Sequence, residues 1–232
     1  QVPCDAAAAV HEVETSGPTH TVNSLMSVAA NFEPRQVLFL PTRKLLLIRD
    51  DESNYLRTYD LQTNQISTLN NLNIFIDSKG ELPMRLSPDY NTLYIATNDR
   101  DGIRKVDLTG SPSQWTIQDW AMNFVGVIRN FALRPDGGTI IVLETCDNSG
   151  SPNTCRHDQF SPGKKTMLYE VNTASAVVTT IGSIITNSSY GNQPYLAFDN
   201  IETENPSKTY PTLPGFVVAP DGQSVYISQN SE

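Results

Sequence analysis

The chain has 232 residues, with 16 Lys or Arg against 25 Asp or Glu, a formal charge of −9 that tells against nucleic-acid binding, which needs clustered cations. Ser, Thr and Asn number 20, 22 and 19, a polar but weakly charged mix that suits a secreted, strand-rich protein, and 38% apolar residues suffice for a core. No run approaches the roughly 18–20 apolar residues that cross a bilayer as a helix.

The start, Gln1-Val2-Pro3-Cys4, has neither an initiator Met nor an apolar signal segment, so a processed, secreted N-terminus is expected. Residues 8–22, AAVHEVETSGPTHTV, read as a hairpin. Seven segments downstream then alternate between two kinds of hairpin. VLFLPTRKLLLI (37–48), MRLSPDYNTLYI (84–95), FALRPDGGTIIV (131–142) and FVVAPDGQSVYI (216–227) are apolar strands joined by a Pro-centred turn. Pro sets φ at the first corner, and Asp-Gly or a similar pair tolerates the next ones. YLRTYDLQTNQISTL (55–69), GIRKVDLTGSPSQWTI (102–117) and MLYEVNTASAVVTTI (167–181) are second hairpins, with turns at Thr-Asn, Thr-Gly and Thr-Ala-Ser. Glu12-Val13-Glu14-Thr15 aligns with Asp60-Leu61-Gln62-Thr63, so 8–22 matches this second kind.

The spacing is stricter than the similarity. Pro41 to Asp60 is 19 residues and Asp60 to Pro88 is 28; Pro88 to Asp107 is again 19, and Asp107 to Pro135 again 28. Pro135 to Asn172 is 37 and Asn172 to Pro220 is 48, the same 47-residue unit carrying excesses of 18 and 20. Four strands per unit at a period of roughly 40–50 residues predict an all-β chain, a β-propeller of four-stranded antiparallel blades. A β-sandwich, the alternative, needs no such repeat. One propeller domain over 1–232 is expected, with full blades at about 36–69, 84–117 and 131–181 and half blades at 8–22 and 216–229. The two halves either complete a fourth blade or belong to a larger ring.

Within an antiparallel meander, the link between the two hairpins of a blade and the link to the next blade leave from one rim. Both insertions therefore decorate the same face, the usual carrier of binding. That face also collects carboxylates at equivalent links: Asp50, Asp51 and Glu52 with Asn54; Asn98, Asp99 and Asp101; Glu144, Asp147 and Asn148. Ca²⁺ takes about six to eight oxygen ligands, some of which these residues can supply. No D-x-D-x-D-G loop is present, and Asp in turns also serves structural Asx hydrogen bonds. No cofactor is required, Ca²⁺ being the one candidate. Cys146 and Cys155 bracket CDNSGSPNTC, which closes either as a disulfide loop or as two unpaired thiols; Cys4 is left over. Asn187-Ser188-Ser189 is a glycosylation sequon. Catalysis has less support. His11, His20 and His157 lack metal-ligand spacing, no Ser or Cys sits in a nucleophile motif, and Glu144 is the only glutamate placed for a lactonase-like centre.

SPDYNTLYIATNDRDGIRKVDLTG (87–110), with RPDGGTIIVLE, LYEVNTASAVVTTIG and APDGQSVYISQ, resembles NHL-type repeats: a Pro-Asp-Gly turn, a "LYIAD" strand and an "IRKVD" hairpin. The resemblance covers residues 8–229 and is most specific over 84–117. Blade one departs from it, with Pro41-Thr42-Arg43 lacking Asp and Gly, and Asn70-Asn71 replacing the usual closing Ala-Gly. The resemblance implies a six-bladed type of ring and a family of non-catalytic scaffolds and cell-surface proteins, with some lyases and lactonases. The expectation is an extracellular, non-catalytic module that binds protein or glycan, or builds a cell-surface assembly, with self-association possible in the strand edges. A metal-dependent hydrolase or lyase of the same fold is the alternative.

Overall fold

A computed structural model of the chain describes residues 9–14, 21–27, 34–50, 55–74, 83–97, 102–122, 124, 127–146, 165–185 and 216–227. It opens with the hairpin β1 (Ala9–Glu14) and β2 (Thr21–Ser27). Blade 1 follows as β3 (Pro34–Leu40), β4 (Leu45–Asp50), β5 (Tyr55–Asp60) and β6 (Gln65–Asn73). Blade 2 is β7 (Met84–Leu86), β8 (Thr92–Thr97), β9 (Gly102–Asp107) and β10 (Thr116–Ala121). Blade 3 is β11 (Val127–Leu133), β12 (Thr139–Cys146), β13 (Lys165–Asn172) and β14 (Val178–Ile185). The hairpin β15 (Phe216–Val218) and β16 (Val225–Ile227) comes last. Each blade is a four-stranded antiparallel meander in chain order, and the two hairpins are separate two-stranded sheets. The chain is thus a β-propeller of four-stranded blades. Among the described strands β1–β2 and β15–β16 do not pair into a further blade.

The turns form where the repeat places them, at one rim, called lower here. In the inner hairpins the residue after Pro-Asp closes a tight turn: Tyr90 N donates to Ser87 O at 2.9 Å, Gly137 N to Arg134 O at 2.8 Å and Gly222 N to Ala219 O at 2.8 Å. All three have φ between 59° and 71°, the left-handed corner of a type I turn that continues into a hairpin. Blade 1 puts the left-handed residue one position later, at Lys44 (φ 53°), which fits its departure from Pro-Asp-Gly. The outer turns are held by an Asx residue. Asp60 Oδ1 accepts from Gln62 N and Thr63 N, Asp107 Oδ1 from Thr109 N, and Asn172 Oδ1 from Ala174 N and Ser175 N.

Seams between blades carry the core. Leu38, Leu40, Leu45 and Leu47 of blade 1 meet Met84, Leu86, Leu93 and Ile95 of blade 2. Tyr94 and Ala96 of blade 2 meet Phe131, Ile140 and Val142 of blade 3, and Ile141 and Leu143 of blade 3 meet Phe216 and Val218. At the first seam Arg43 donates to Leu108 O at 3.0 Å and lies 5.8 Å from the Trp115 ring centre, while Asn71 Nδ2 donates to Trp115 O at 2.6 Å. The inner turns also stack on one another. A Cβ at Gly137 would come within 2.9 Å of Pro88 Cδ, whereas one at Gly222 meets nothing nearer than 3.7 Å.

Two outcomes follow from these turns. Gly222→Ala is expected to cost about 1–2 kcal/mol, the price of a left-handed Ala. Gly137→Ala adds the collision with Pro88 and is expected to cost about 2–4 kcal/mol, both read as urea-denaturation midpoints. The donors around Asp60 and Asp107 hold their carboxyls below the usual range. A depressed folded pKa contributes stability above the unfolded value, about 3.9, that is lost as pH falls through the folded one. Denaturation midpoints should therefore drop on acidification below about pH 4, and Asp60→Asn with Asp107→Asn should flatten that drop, as Asn172 already does in blade 3.

Candidate functional site

Because β4, β8 and β12 run away from the lower rim and β5, β9 and β13 return to it, the links at 51–54, 98–101 and 147–164 all leave from the opposite, upper rim. The blade-to-blade links, including 186–215, start and finish there too. The strands bracketing the acidic links and both long insertions are thus anchored on one rim.

Of the candidate site residues, Asp51, Glu52, Asn54, Asn98, Asp99, Asp101, Asp147 and Asn148 lie outside the described residues, as do Asn187, Cys4, Cys155, His20 and His157. Asp50 ends β4 opposite Pro34, Cys146 ends β12 opposite Lys165, and His11 pairs with Ser24 in β1; the side chains of these three are also outside the description. Glu144 is described in full. It sits near the end of β12, opposite Ile128 on β11 and Met167 on β13, and is 0% exposed. Tyr169 hydrogen-bonds the Glu144 carboxylate, and burial, followed by this bond, pushes its phenol well above the usual tyrosine range. Phe124 meets the Tyr169 ring edge-on, centroids 5.4 Å apart. The carboxylate is thereby enclosed in the seam between blades 2 and 3, a hydrogen-bond acceptor for Tyr169 rather than a group open to solvent.

The seams also hold a polar thread that reading residue by residue does not reveal. Gln36 on β3 makes two bonds to the backbone of Met84 on β7: Nε2 donates to Met84 O at 3.0 Å, and Oε1 accepts from Met84 N at 2.8 Å. The neighbouring Arg85 donates to Met84 O at 2.8 Å and to Asn130 Oδ1 on β11 at 2.9 Å. That same oxygen accepts from Phe131 N at 2.8 Å, and the guanidinium lies 5.8 Å from the Phe131 ring centre. Gln36, Arg85 and Asn130 therefore connect the first strands of three successive blades. Burial lowers the Arg85 guanidinium from its usual value, though an arginine remains charged at neutral pH. The signal was present in the repeat: Arg85 occupies the column filled by Leu38, Ala132 and Val217, where a charge has no packing role.

Two further charges are buried in blades 1 and 2. Arg49, at the end of β4, is 1% exposed, and Arg104 on β9 is 5% exposed and pairs with Asp119 on β10 at 2.9 Å. Among the described residues, no group of three or more His, Cys, Asp or Glu is placed to share a metal ion. Nor is any helix there long and apolar enough to cross a membrane.

No protein-family model matches the chain. No curated protein matches it at a significant level. Solved structures do. The β-propeller domain of Cps50 (Swd1) from Myceliophteria thermophila superposes with a TM-score of 0.52 at 14% identity, over 77% of this chain and 52% of that one. A Bacteroides uniformis protein named as a candidate 6-phosphogluconolactonase superposes with a TM-score of 0.50 at 17% identity, over 78% of this chain and 50% of that one. The chain spans about half the length of either. One neighbour carries an enzyme's name and the other does not, so the likeness is one of fold, the β-propeller.

Tyr169→Phe removes the donor that reaches the enclosed Glu144 carboxylate. It is expected to destabilise the protein by about 1–3 kcal/mol in chemical denaturation. The raised Tyr169 pKa contributes stability below about pH 10 that is lost as pH rises beyond it, so the variant should also show a shallower alkaline limb.

Proposed function

We propose that the chain is a non-catalytic, extracellular propeller module that binds a protein or glycan partner through its upper rim. The observation that carries this proposal is directional. The antiparallel blades anchor every acidic link and both long insertions on one rim, whereas the lower rim is closed by short turns whose polar groups are spent on their own backbone. Asp50, Asp51, Glu52, Asn98, Asp99, Asp101 and Asp147 are the binding residues of this proposal, with Ca²⁺ as the ion their oxygens suit. The enclosure of Glu144 by Tyr169 supports the non-catalytic side, since a lactonase-like centre would need that carboxylate in contact with substrate. The polar, weakly charged composition, the Asn187 sequon and the Cys146/Cys155 spacing support an extracellular setting, and the NHL-type resemblance of 84–117 supports a scaffold role.

Peptide mapping and intact mass of the native protein test the setting: a Cys146–Cys155 bridge and sugar on Asn187 are expected, and reduced, sugar-free protein would sink it. A sugar-lactone hydrolysis assay with and without added Ca²⁺ tests the chemistry. No rate above buffer is expected; a metal-dependent rate abolished in Glu144→Gln would favour a hydrolase instead.

A further inference from the structure

Arg85 is a cation without a matching anion. Two other arginines that are buried or partly buried reach a carboxylate: Arg104 pairs with Asp119 at 2.9 Å, and Arg134 pairs with Glu170. The two hydrogen bonds of Arg85 go instead to neutral acceptors, the Met84 carbonyl and Asn130 Oδ1, and its guanidinium lies over the Phe131 ring. Burial alone moves its pKa, so among the described residues neither a carboxylate nor a second cation acts on it.

The side chain stands at the boundary of a seam. On β7, Arg85 lies opposite Tyr94 of β8, and Tyr94 packs toward blade 3, where Asn130 and Phe131 are buried. Arg85 itself stays partly exposed on the first strand of its blade, so it is packed on its seam side and reached by solvent elsewhere. A guanidinium presents its N–H donors in a fixed planar fork and accepts nothing. Two bonds to neutral oxygens leave donors over, together with the whole of the charge. The acceptors that hold the fork are themselves held: Asn130 Oδ1 also takes Phe131 N at 2.8 Å, and Gln36 clamps Met84 at both its N–H and its carbonyl. A cation fixed in advance loses little freedom when it binds. An apolar side chain, as Leu38 and Ala132 supply in the same column, would fill the place without the cost of desolvating a charge.

We propose that Arg85 anchors a binding site for a carboxylate group, on the inner-strand surface where blades 2 and 3 meet. A carboxylate is planar and carries one negative charge. It meets a guanidinium through two parallel hydrogen bonds, and its charge offsets the one present. A phosphate dianion would leave a net negative charge in a half-buried place, because Lys105, next to Tyr94 in the same cross-strand row, acts on Asp107. The residues that form this site belong to β7 and β11 and not to the upper-rim links.

The 232-residue chain, titrated with sodium glucuronate at constant ionic strength, should bind it saturably at about millimolar concentration, as one charge-assisted pair provides. Glucose, which lacks the carboxylate, should not bind. Sodium acetate separates the two sources of the group: equal binding makes the carboxylate the whole determinant, and tighter glucuronate adds contacts from the sugar ring. Arg85→Met keeps an unbranched side chain and removes the charge, so it should weaken glucuronate by about tenfold or more while keeping the far-ultraviolet spectrum of folded sheet. Asn130→Asp places a carboxylate where an amide oxygen now lies 2.9 Å from the guanidinium, and should fill the site from within, with a comparable loss. No saturable binding by the unaltered chain, tighter binding of inorganic phosphate than of glucuronate, or unchanged affinity in either folded variant would overturn the proposal. None of these outcomes bears on upper-rim binding, whose residues neither variant alters.

Discussion

Every blade has to be covered on both of its faces. Side chains alternate across a pleated sheet, so a blade is apolar on both sides and a blade alone leaves two apolar faces in water. A fully buried Leu or Phe stabilises by about 1.5–3 kcal/mol relative to exposure, and each seam draws such residues from two sheets at once. This is why β4 reads as an unbroken apolar run, Leu45 to Ile48, with all four residues buried, where a one-sided sheet would alternate with polar residues. It is also why polar chemistry is pushed outward to the rims. A charge that enters a seam needs partners, since an unpaired buried charge costs several kcal/mol.

The charges found there meet that condition in different ways. Arg104 pairs with Asp119 inside its own blade. Arg85 instead reaches across a seam to Asn130, next to the two-bonded clamp of Gln36 on Met84. Apolar contacts are tolerant of sliding, whereas two hydrogen bonds from one amide to one residue are not. The thread therefore fixes the height of β7 against β3 and of β11 against β7. With the inner strands held at one level, the lower turns stack, Gly137 on Pro88.

Much of this was legible in the sequence because the turns carry the period. Pro41, Pro88 and Pro135, with Asp60 and Asp107, mark corners whose chemistry is local, so their spacing announces blade size and strand count. Strand ends were less legible. β6 runs on to Asn73 and β11 begins at Val127, and both extensions follow register shifts, at Tyr55/Leu56 and Ile128/Asn130, which insert residues without a turn signal. The left-handed Lys44 and Tyr90 carry no glycine to betray them; the hairpins on either side impose the conformation. The rim carboxylates could be grouped by column, since position in the repeat is enough. Asn130 and Arg85 could not be paired that way, because 45 residues separate them and only the packing of two blades brings them together.

The same division explains where the repeat is free to vary. The excesses of 18 and 20 residues both fall in blade 3's links, yet the β12–β13 pairing remains in register from Thr139↔Asn172 to Cys146↔Lys165. Closing a loop costs only about 0.6 kcal/mol more for each doubling of its length, small beside a single buried apolar side chain. An insertion at the lower rim would instead break an Asx-held turn packed against its neighbour, as Gly137 is on Pro88. Elongation is therefore cheap on the upper rim and expensive on the lower one. A rigid set of seams with one permissive rim is an arrangement in which binding surfaces can change while the blades beneath them do not.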